Sequence, residues 1–415
     1  MCLQNNSEAE GAISLKSLAS FTAYPTVSIE AGKADLRQAE ESTADRVNEA
    51  IYEALCAIHP GTTAGQALLK VHIGEPNCVT RMSPVYMASS VRFVQERGAS
   101  GVVAGDTTVA YSGPRGHKRN PAGNASSYME LARRHGWCVD GPAGVPFVVL
   151  DRPSTGVPGL FEFQQQQQCN QLDGIGRFKD FYLAGGFAAA DFVVNHAHLT
   201  LHGLAGLAGC LKSIAMGCSA LRGKLRMHQS LLPQFDAELC TRCGRCVESC
   251  PEGALQLRED DPCPVVDPEL CIGCGECEAV CALERGAVTL QGEDIADWQR
   301  GQETLPLRMS DYTMGLMNGR WENTIHVLHM YAVTERCDCV NAAQKPMLKR
   351  DLGFLVGKNP FAIDQLAGGM LADALRDEGR RVDQSLLGTA DRAASYVEEA
   401  YGISCRAQSQ KARVK

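Results

Sequence analysis

The chain contains the same cysteine pattern twice. The stretch DAELCTRCGRCVESC from Asp236 returns 31 residues later as DPELCIGCGECEAVC from Asp267. In each copy, three cysteines follow the spacing Cys-x-x-Cys-x-x-Cys and a fourth follows after three further residues. Thiolates at this spacing can bind three corners of a cubane iron–sulfur cluster, and in two-cluster ferredoxins the fourth cysteine of each run binds the other cluster.

The two copies therefore predict two [4Fe–4S] clusters with exchanged ligands. The expected ligands are Cys240, Cys243, Cys246 and Cys281 for the first cluster, and Cys271, Cys274, Cys277 and Cys250 for the second. Zinc also binds four thiolates, but its sites usually pair two Cys-x-x-Cys hooks. Pro251 follows the first run, as is typical of ferredoxins, whereas Ala282 occupies the equivalent position of the second run.

The rest of the composition describes a large globular chain. Its 415 residues exceed the usual size of a single core, and 45% are hydrophobic against 21% charged. No uninterrupted apolar run approaches the roughly 20 residues that span a bilayer, so we expect no membrane insertion. A net charge of -8 argues against a nucleic-acid partner, because binding to phosphates requires a basic surface.

The N-terminus and the cysteine content bear on the compartment. The first residues lack a basic start and a continuous apolar centre, so we expect no secretion signal and a cytoplasmic location. Nineteen cysteines are many for that compartment, where disulfides are kept reduced. Metal ligation or redox chemistry in an anaerobic setting is therefore the favoured interpretation.

Strand-like and helix-like segments alternate before the cysteine repeat. Strands are predicted at 66–74, 100–108, 145–151 and 189–198, and helices at 83–98 and 127–136. This alternation predicts an α/β fold with a mostly parallel sheet covered by helices. The strand-like runs at 325–334 and 351–357 and the helical run at 361–379 are too few for a separate domain, so we expect them to complete the same sheet.

The cysteine repeat is then an insertion, a small α+β ferredoxin-like module within one discontinuous domain. The predicted units are a poorly ordered segment 1–40, an α/β domain of 41–231 and 298–404, the module 232–297, and a basic tail 405–415. The glutamine run at 164–168 is expected to form a polar surface loop or a hairpin tip.

Three histidines follow a predicted buried strand. His196 and His198 alternate onto one face, and His202 lies four residues farther on, where a turn or helix is expected to begin. Imidazoles in this arrangement can bind a metal or transfer protons, and α/β sheets bind ligands at the carboxyl ends of their strands. The competing interpretation is that they only hydrogen-bond backbone groups at the end of the strand.

Basic side chains add candidates for binding an anion. Lys212 and Lys224 lie beyond the histidines and suit an anionic ligand, although the glycines around them also favour helix packing. The basic stretch 112–120 follows Asp106 and contains Arg115, which could bind a carboxylate or phosphate, or could belong to a solvated turn. No glycine-rich nucleotide-binding pattern is present.

Four cysteines outside the repeat are candidates for a further thiolate site. Cys337 and Cys339 flank Asp338 at the end of a strand-like run, so their side chains should point the same way. Together with Cys210 and Cys218 they could form a redox pair or bind a metal. Buried free cysteines also occur as small apolar residues, an alternative that applies to Cys210.

The sequence around the repeat resembles the DUF362 family, α/β proteins many of which contain a ferredoxin module. The resemblance rests on stretches at 68–76, 105–116, 196–224, 337–339 and 351–365. It departs at 198–202, where the family tends to have a Lys-Gly pair before the second histidine, and at Asn359, where an aspartate is common. The resemblance implies an α/β fold with an inserted two-cluster module.

These features leave three functions open. The first is an iron–sulfur oxidoreductase, whose clusters relay low-potential electrons to a site on the α/β domain. Its candidate catalytic residues are His196, His198, His202, Lys212, Cys218, Cys337 and Cys339, and its candidate cofactor or substrate contacts are Asp106, Arg115 and Lys224. The alternatives are an electron carrier or accessory subunit and a metal-centre maturation factor. A redox protein partner and a small anionic substrate are expected, and a further metal or flavin stays open.

Overall fold

The structure, a computed structural model, describes most of the chain. The described residues are 41–109, 113–116, 124–170, 175–178, 180–228, 232–250, 253–267, 271, 276–282, 286–291, 298–380 and 384–405. The predicted segment 1–40 lies outside them, and so do residues 406–415 of the predicted tail.

Strands and helices alternate through the described residues. The strands are β1 (Gly65–Lys70), β2 (Ala99–Asp106), β3 (Phe147–Val149), β4 (Gln166–Asn170), β5 (Asp180–Ala184), β6 (Phe192–His198), β7 (Thr200–His202), β8 (Gly206–Ala208), β9 (Leu232–Phe235), β10 (Leu255–Gln256), β11 (Val265–Val266), β12 (Val288–Gln291), β13 (Thr324–Met330) and β14 (Gly353–Gly357). The helices are α1 (Glu41–Ile58), α2 (Ala88–Glu96), α3 (Asn124–Arg134), α4 (Gly185–Ala189), α5 (Cys210–Ala215), α6 (Leu221–Met227), α7 (Arg245–Glu248), α8 (Glu276–Ala282), α9 (Trp298–Met317), α10 (Pro360–Asp377), α11 (Gln384–Leu387) and α12 (Thr389–Tyr401).

Six strands form the central sheet, in the order β14-β13-β6-β1-β2-β3. Neighbouring strands are parallel, except that β13 and β14 are antiparallel. β13 and β14 follow the cysteine repeat in the chain, and in this sheet β13 pairs with β6 and β14 pairs with β13. The predicted α/β fold with a mostly parallel, helix-covered sheet is confirmed.

The central strands are apolar because helices cover both faces of the sheet. Leu69 packs in the same buried cluster as Phe93 of α2, on one face of the sheet. The preceding residue, Leu68, packs in a cluster with Tyr312 of α9 on the other face. All seven residues of β6 are buried. A parallel sheet covered on both faces favours continuous apolar runs of this kind, and burying each large side chain stabilises the fold by about 1.5–3 kcal/mol.

The direction in which strands are added reverses between β1 and β6. The chain adds β2 and then β3 on one side of β1, and later adds β6 and β13 on the other side. Connections that leave in opposite directions open a crevice at the carboxyl ends of the two strands. Lys70 ends β1, Asp106 ends β2 and His198 ends β6, so three polar side chains meet this crevice.

The cysteine repeat forms a small unit with internal symmetry. β9 pairs antiparallel with β12, with Phe235 opposite Val288, so the unit begins and ends side by side. The two copies are interlocked, because the first residue of each copy bonds to the end of the other. Asp236 N donates to Ala287 O at 2.8 Å, and Asp267 N donates to Ala254 O at 2.7 Å.

Two expectations are corrected at the edges of the fold. Three of the five glutamines, 166–168, do not lie in a loop or a hairpin tip, because Gln166–Asn170 is strand β4, paired antiparallel with β5. The glutamine side chains remain exposed while the backbone pairs with the buried strand β5, so pairing outweighs polar composition. The predicted start of the tail, residue 405, is one residue too early, since Cys405 is buried and its N–H donates to Glu398 Oε1 at 2.8 Å.

Within the described ranges, no helix has both the length and the apolar character needed to cross a bilayer.

Candidate functional site

A cavity of about 380 Å³ lies at the carboxyl ends of β1, β2 and β6. We call it the sheet-end cavity. It contains eight of the ten predicted catalytic and cofactor-binding residues: Asp106, Arg115, His198, His202, Lys212, Lys224, Cys337 and Cys339. They come from strand ends, from α5 and α6, and from the loop after β13, so the fold brings distant segments to one site.

His196 and Cys218 do not line this cavity. His196 Nε2 lies 2.9 Å from Ser90 Oγ and Nδ1 lies 3.0 Å from His329 Nε2, and burial lowers the pKa of His196 to about 3. Cys218 belongs to a hydrophobic cluster, and burial raises its pKa to about 12. Both are neutral core residues that support the wall of the cavity.

Sequence reasoning missed several residues of the cavity, three of which are basic. Lys70 ends β1, His72 follows two residues later, and His228 comes directly after α6. A signal was present in the apolar run LLKVHIG, because a lysine is almost never fully buried without a partner.

Asp106 is the negative centre of the cavity wall. Its carboxylate lies 3.1 Å from Lys70 Nζ and 3.3 Å from Arg115 Nη2, and Tyr128 Oη donates to it at 2.8 Å. Burial opposes ionisation, but Lys70, His72 and Arg115 hold the pKa of Asp106 well below its usual range. Asp106 is therefore a fixed negative charge that orients the cations around it.

Arg115 is neutralised inside the protein. It is 2% exposed, and besides Asp106 it binds Glu75, with Nη1 2.9 Å from Oε1. Its geometry makes it a support for Asp106. The other basic residues of the predicted loop, 117–119, lie outside the described residues.

His198 forms a buried ion pair. Its Nδ1 lies 2.7 Å from Asp338 Oδ2 and its Nε2 lies 2.7 Å from the carbonyl oxygen of Tyr331. Both ring nitrogens face acceptors, so both carry hydrogens. Burial alone would lower the pKa of His198, but the charge and hydrogen bond of Asp338 raise it.

The Cys337–Cys339 pair lies in a loop, because β13 already ends at Met330, which corrects the expected strand end. Cys339 Sγ lies 3.6 Å from Lys212 Nζ and 3.7 Å from His72 Nε2. The pKa of Cys339 is held well below its usual range, first by the interaction with Cys337 and then by the Lys212 charge, although burial opposes this effect. The pKa of Cys337 is raised. Of the two sulfur atoms, Cys339 therefore loses its proton more readily, and the thiolate that results lies beside Lys212.

Helix α5 places Lys212 next to this thiolate. Asp364 fixes the start of the helix by accepting from Cys210 N at 2.7 Å and from Leu211 N at 2.9 Å. A side chain at Gly209 would put its Cβ 2.3 Å from Asp364 Oδ1, so only glycine allows this approach.

His202 lies in strand β7 of a short hairpin, and not in a turn or helix as expected. Its Nδ1 accepts from the N–H groups of Leu204 and Ala205, both at 3.1 Å, so the ring proton is on Nε2. Burial, followed by the nearby Lys212 charge, lowers the pKa of His202 to about 3. The ring is a neutral hydrogen-bond donor at the cavity.

Lys224 is a buried cation with neutral partners. It is 8% exposed, and its ammonium donates to Thr107 Oγ1 and to the carbonyl of Thr108. Burial lowers the pKa of Lys224 to about 8, although Asp151 and Asp106 partly offset this effect. The cavity thus combines a thiolate, a neutral imidazole and a lysine that titrates near neutral pH.

A second cavity, of about 30 Å³, lies in the cysteine repeat. Its lining includes all four predicted ligands of the first cluster, Cys240, Cys243, Cys246 and Cys281. Over the ranges that the structure covers, no group of three or more His, Cys, Asp or Glu side chains is arranged to hold a metal ion. A cubane separates its thiolates more widely than a single ion does, so four thiols around one cavity fit a cubane.

Of the second predicted ligand set, Cys250, Cys271 and Cys277 are described, whereas Cys274 lies outside the described residues. The fourth cysteines of the two runs have equivalent surroundings. Cys250 Sγ accepts from Ala254 N and Cys281 Sγ accepts from Ala287 N, both at 3.2 Å. N–H groups directed at sulfur stabilise thiolate ligands and tune the potential of a cluster.

A family profile described as a domain of unknown function, DUF362, matches residues 67–368. No curated protein matches the chain. Among solved structures, the crystal structure of a Thermotoga maritima protein from a structural genomics consortium aligns with a TM-score of 0.34 and 10% identity. The alignment covers 82% of this chain and 60% of that protein. Because the profile match covers most of the chain, from β1 into α10, the protein belongs to the DUF362 family.

Proposed function

We propose that the protein is an iron–sulfur oxidoreductase that binds a small anionic substrate in the sheet-end cavity. The cysteine repeat would bind two [4Fe–4S] clusters, which supply or accept single electrons. The observation that carries the proposal is the short link between the two sites, since His228 lines the sheet-end cavity and Phe235 lines the cysteine cavity. Seven residues of extended chain span at most about 25 Å.

The substrate class follows from the distribution of charge. Lys70 and Arg115 are neutralised by Asp106 and Glu75, and Lys212 by the Cys339 thiolate. Lys224 has only neutral partners among the described residues. A carboxylate or phosphate oxygen would give this buried ammonium a negative hydrogen-bond partner in place of neutral ones.

The same residues can supply protons. Reduction of an organic substrate consumes protons, and Lys224, with a pKa of about 8, can donate one near neutral pH. His202 presents its Nε2–H to the cavity and can hydrogen-bond to an oxygen on which negative charge develops.

The cluster assignment is tested by anaerobic analysis of iron, acid-labile sulfide and zinc. We expect about eight iron and eight sulfide per chain, with an electron paramagnetic resonance signal after reduction by dithionite. Cys243→Ala should lose about half of the iron. Cys138→Ala, which alters a cysteine outside the repeat, should retain it all. Zinc in place of iron would exclude the oxidoreductase.

The substrate class is tested by calorimetric titration with inorganic phosphate, oxalate and succinate. We expect Lys224→Met to weaken the best of these ligands by about 10- to 100-fold, the range for a hydrogen bond to a charged group. Only the protonated lysine attracts an anion, so wild-type affinity should fall as pH rises through about 8. The exposed Lys349→Met is the control. Binding that is independent of pH between 7 and 9 would argue against an anionic substrate.

A further inference from the structure

The loop of Cys337, Asp338 and Cys339 presents a dithiol to the sheet-end cavity. Both cysteines line the cavity, where Cys337 is buried and Cys339 is partly exposed. Cysteines separated by one residue have Cα atoms within the roughly 7 Å that a disulfide can bridge. The two residues are therefore close enough along the chain for their sulfur atoms to form a disulfide.

The surroundings of Cys339 favour nucleophilic attack. Lys212 lies 3.6 Å from the sulfur and His72 lies 3.7 Å from it, and both can donate a hydrogen bond to a thiolate. His72 is itself oriented by Asp106, with Nδ1 3.2 Å from Oδ2. Thiolates held beside lysine and histidine and accessible from a cavity are the reactive ones in disulfide exchange.

We propose that Cys337 and Cys339 form a thiol–disulfide exchange site whose substrate is a small anionic disulfide. The inference rests on the sheet-end cavity as the proposed substrate site and is independent of the clusters. Lys224 would bind the anionic group of the substrate, while the disulfide bond reaches Cys339.

The exchange proceeds in two displacements. The Cys339 thiolate attacks one substrate sulfur, the substrate S–S bond breaks, and half of the substrate leaves as a thiolate. Cys337 then attacks the Cys339 sulfur of the mixed disulfide and expels the second half, which takes the Cys337 proton. Two electrons pass from the protein dithiol to the substrate. The products are an intramolecular disulfide, one thiol and one thiolate.

The test follows one tryptic peptide of the full wild-type protein. Cleavage after Arg336 and Lys349 releases residues 337–349, whose only cysteines are Cys337 and Cys339. The protein is treated anaerobically with bis(carboxymethyl) disulfide or with the neutral hydroxyethyl disulfide, quenched in acid and alkylated with N-ethylmaleimide. We expect an unalkylated peptide about 2 Da lighter than the dithiol.

The comparison of the two probes tests the anionic preference. For each probe, the rate enhancement is its rate with the protein divided by its rate with free cysteine. We expect the enhancement for the anionic probe to be at least tenfold larger than that for the neutral probe. Lys224→Met should abolish that difference. Lys212→Met should slow both probes about tenfold at pH 7 and shift the pH–rate profile upward. Lys349→Met, whose tryptic peptide ends at Arg350 instead, should change neither. Cys337→Ser should stop at the mixed disulfide.

A wild-type peptide that stays alkylated at both cysteines, or that reacts no faster than in the urea-unfolded chain, would overturn the inference. Equal enhancement for the two probes would overturn the anionic substrate class. Iron and sulfide are measured on the same samples. Exchange without cluster iron would count against the proposed function alone, and intact clusters with an unreactive peptide would count against the exchange site alone.

Discussion

The ion pair of His198 and Asp338 holds the dithiol loop against β6. Both residues are buried, and the backbone carbonyl of Asp338 also accepts from Glu75 N at 3.1 Å. Burial would lower the pKa of His198, but the charge of Asp338 raises it. Burial would raise the pKa of Asp338, but the charge of His198 lowers it. The loop geometry therefore depends on both charges.

We expect Asp338→Asn to lower the free energy of unfolding by about 3–5 kcal/mol, because it leaves a buried charge unpaired. The contribution of the Asp338 charge to the free energy of unfolding is fully present above the pKa of this residue in the unfolded chain, near 4. It is lost as pH falls through the lowered pKa in the folded protein. The His198 contribution is complete below about 6.5 and is lost as pH rises through the raised folded value. The destabilisation caused by Asp338→Asn should therefore be largest between about pH 4 and 6.5.

Urea unfolding of wild type and variant at pH 5.5 and pH 9 measures this difference. Asp373→Asn, which removes an exposed partner of Arg376, should leave the midpoint unchanged at both values. A cost for Asp338→Asn that is equal at the two pH values would show that the pair does not titrate as described.

At the scale of elements, the start of α10 explains one departure from the family sequence. Asn359 Oδ1 accepts from Phe361 N at 3.0 Å and from Ala362 N at 3.2 Å, which caps the helix. Its Nδ2 also donates to Ser404 O at 3.1 Å. An aspartate could cap the helix but could not donate to this carbonyl, so the asparagine ties α10 to the segment after α12.

We expect Asn359→Ala to cost about 1–2 kcal/mol of stability, the range for a lost helix cap. Asn359→Asp keeps the cap and loses the bond to Ser404, so its cost should be smaller than that of alanine. Urea unfolding of the two variants, with the exposed Asp373→Ala on the same helix as control, measures the order. An aspartate variant less stable than the alanine variant would contradict this account.

At the scale of the whole molecule, the sheet depends on strands that precede and follow the cysteine repeat. β13 lies beside β6 and β14 lies beside β13. The first and last strands of the repeat, β9 and β12, pair with each other. Loss of β13 and β14 would expose the edge of β6 and the apolar cluster that contains Leu328 and Leu355. Loss of the repeat would leave these contacts in place.

We therefore expect a chain with residues 233–290 replaced by a short Gly-Ser linker to fold, and a chain ending at residue 297 to aggregate. Near-ultraviolet circular dichroism and size-exclusion chromatography compare the two with wild type. A linker variant that fails to fold would show that the repeat is required for the sheet to form.

The amino-acid sequence alone determined the features that depend on local spacing. The cysteine spacing predicted a set of four thiols that line one cavity, and alternating apolar runs predicted most of the central strands and the α/β class. Such patterns are local, because a strand or a four-cysteine run is specified by residues close together in the chain.

Only the tertiary structure decided which of the candidates meet. Cys339 and His72 are 267 positions apart in the chain, and their contact exists because β1 and β13 flank β6 in one sheet. Likewise, His196 and His198 look equivalent in sequence, yet His196 packs against Ser90 of a covering helix while His198 reaches the cavity. Strand order and helix packing result from the burial of apolar surface over the whole chain, so no local pattern specifies these contacts.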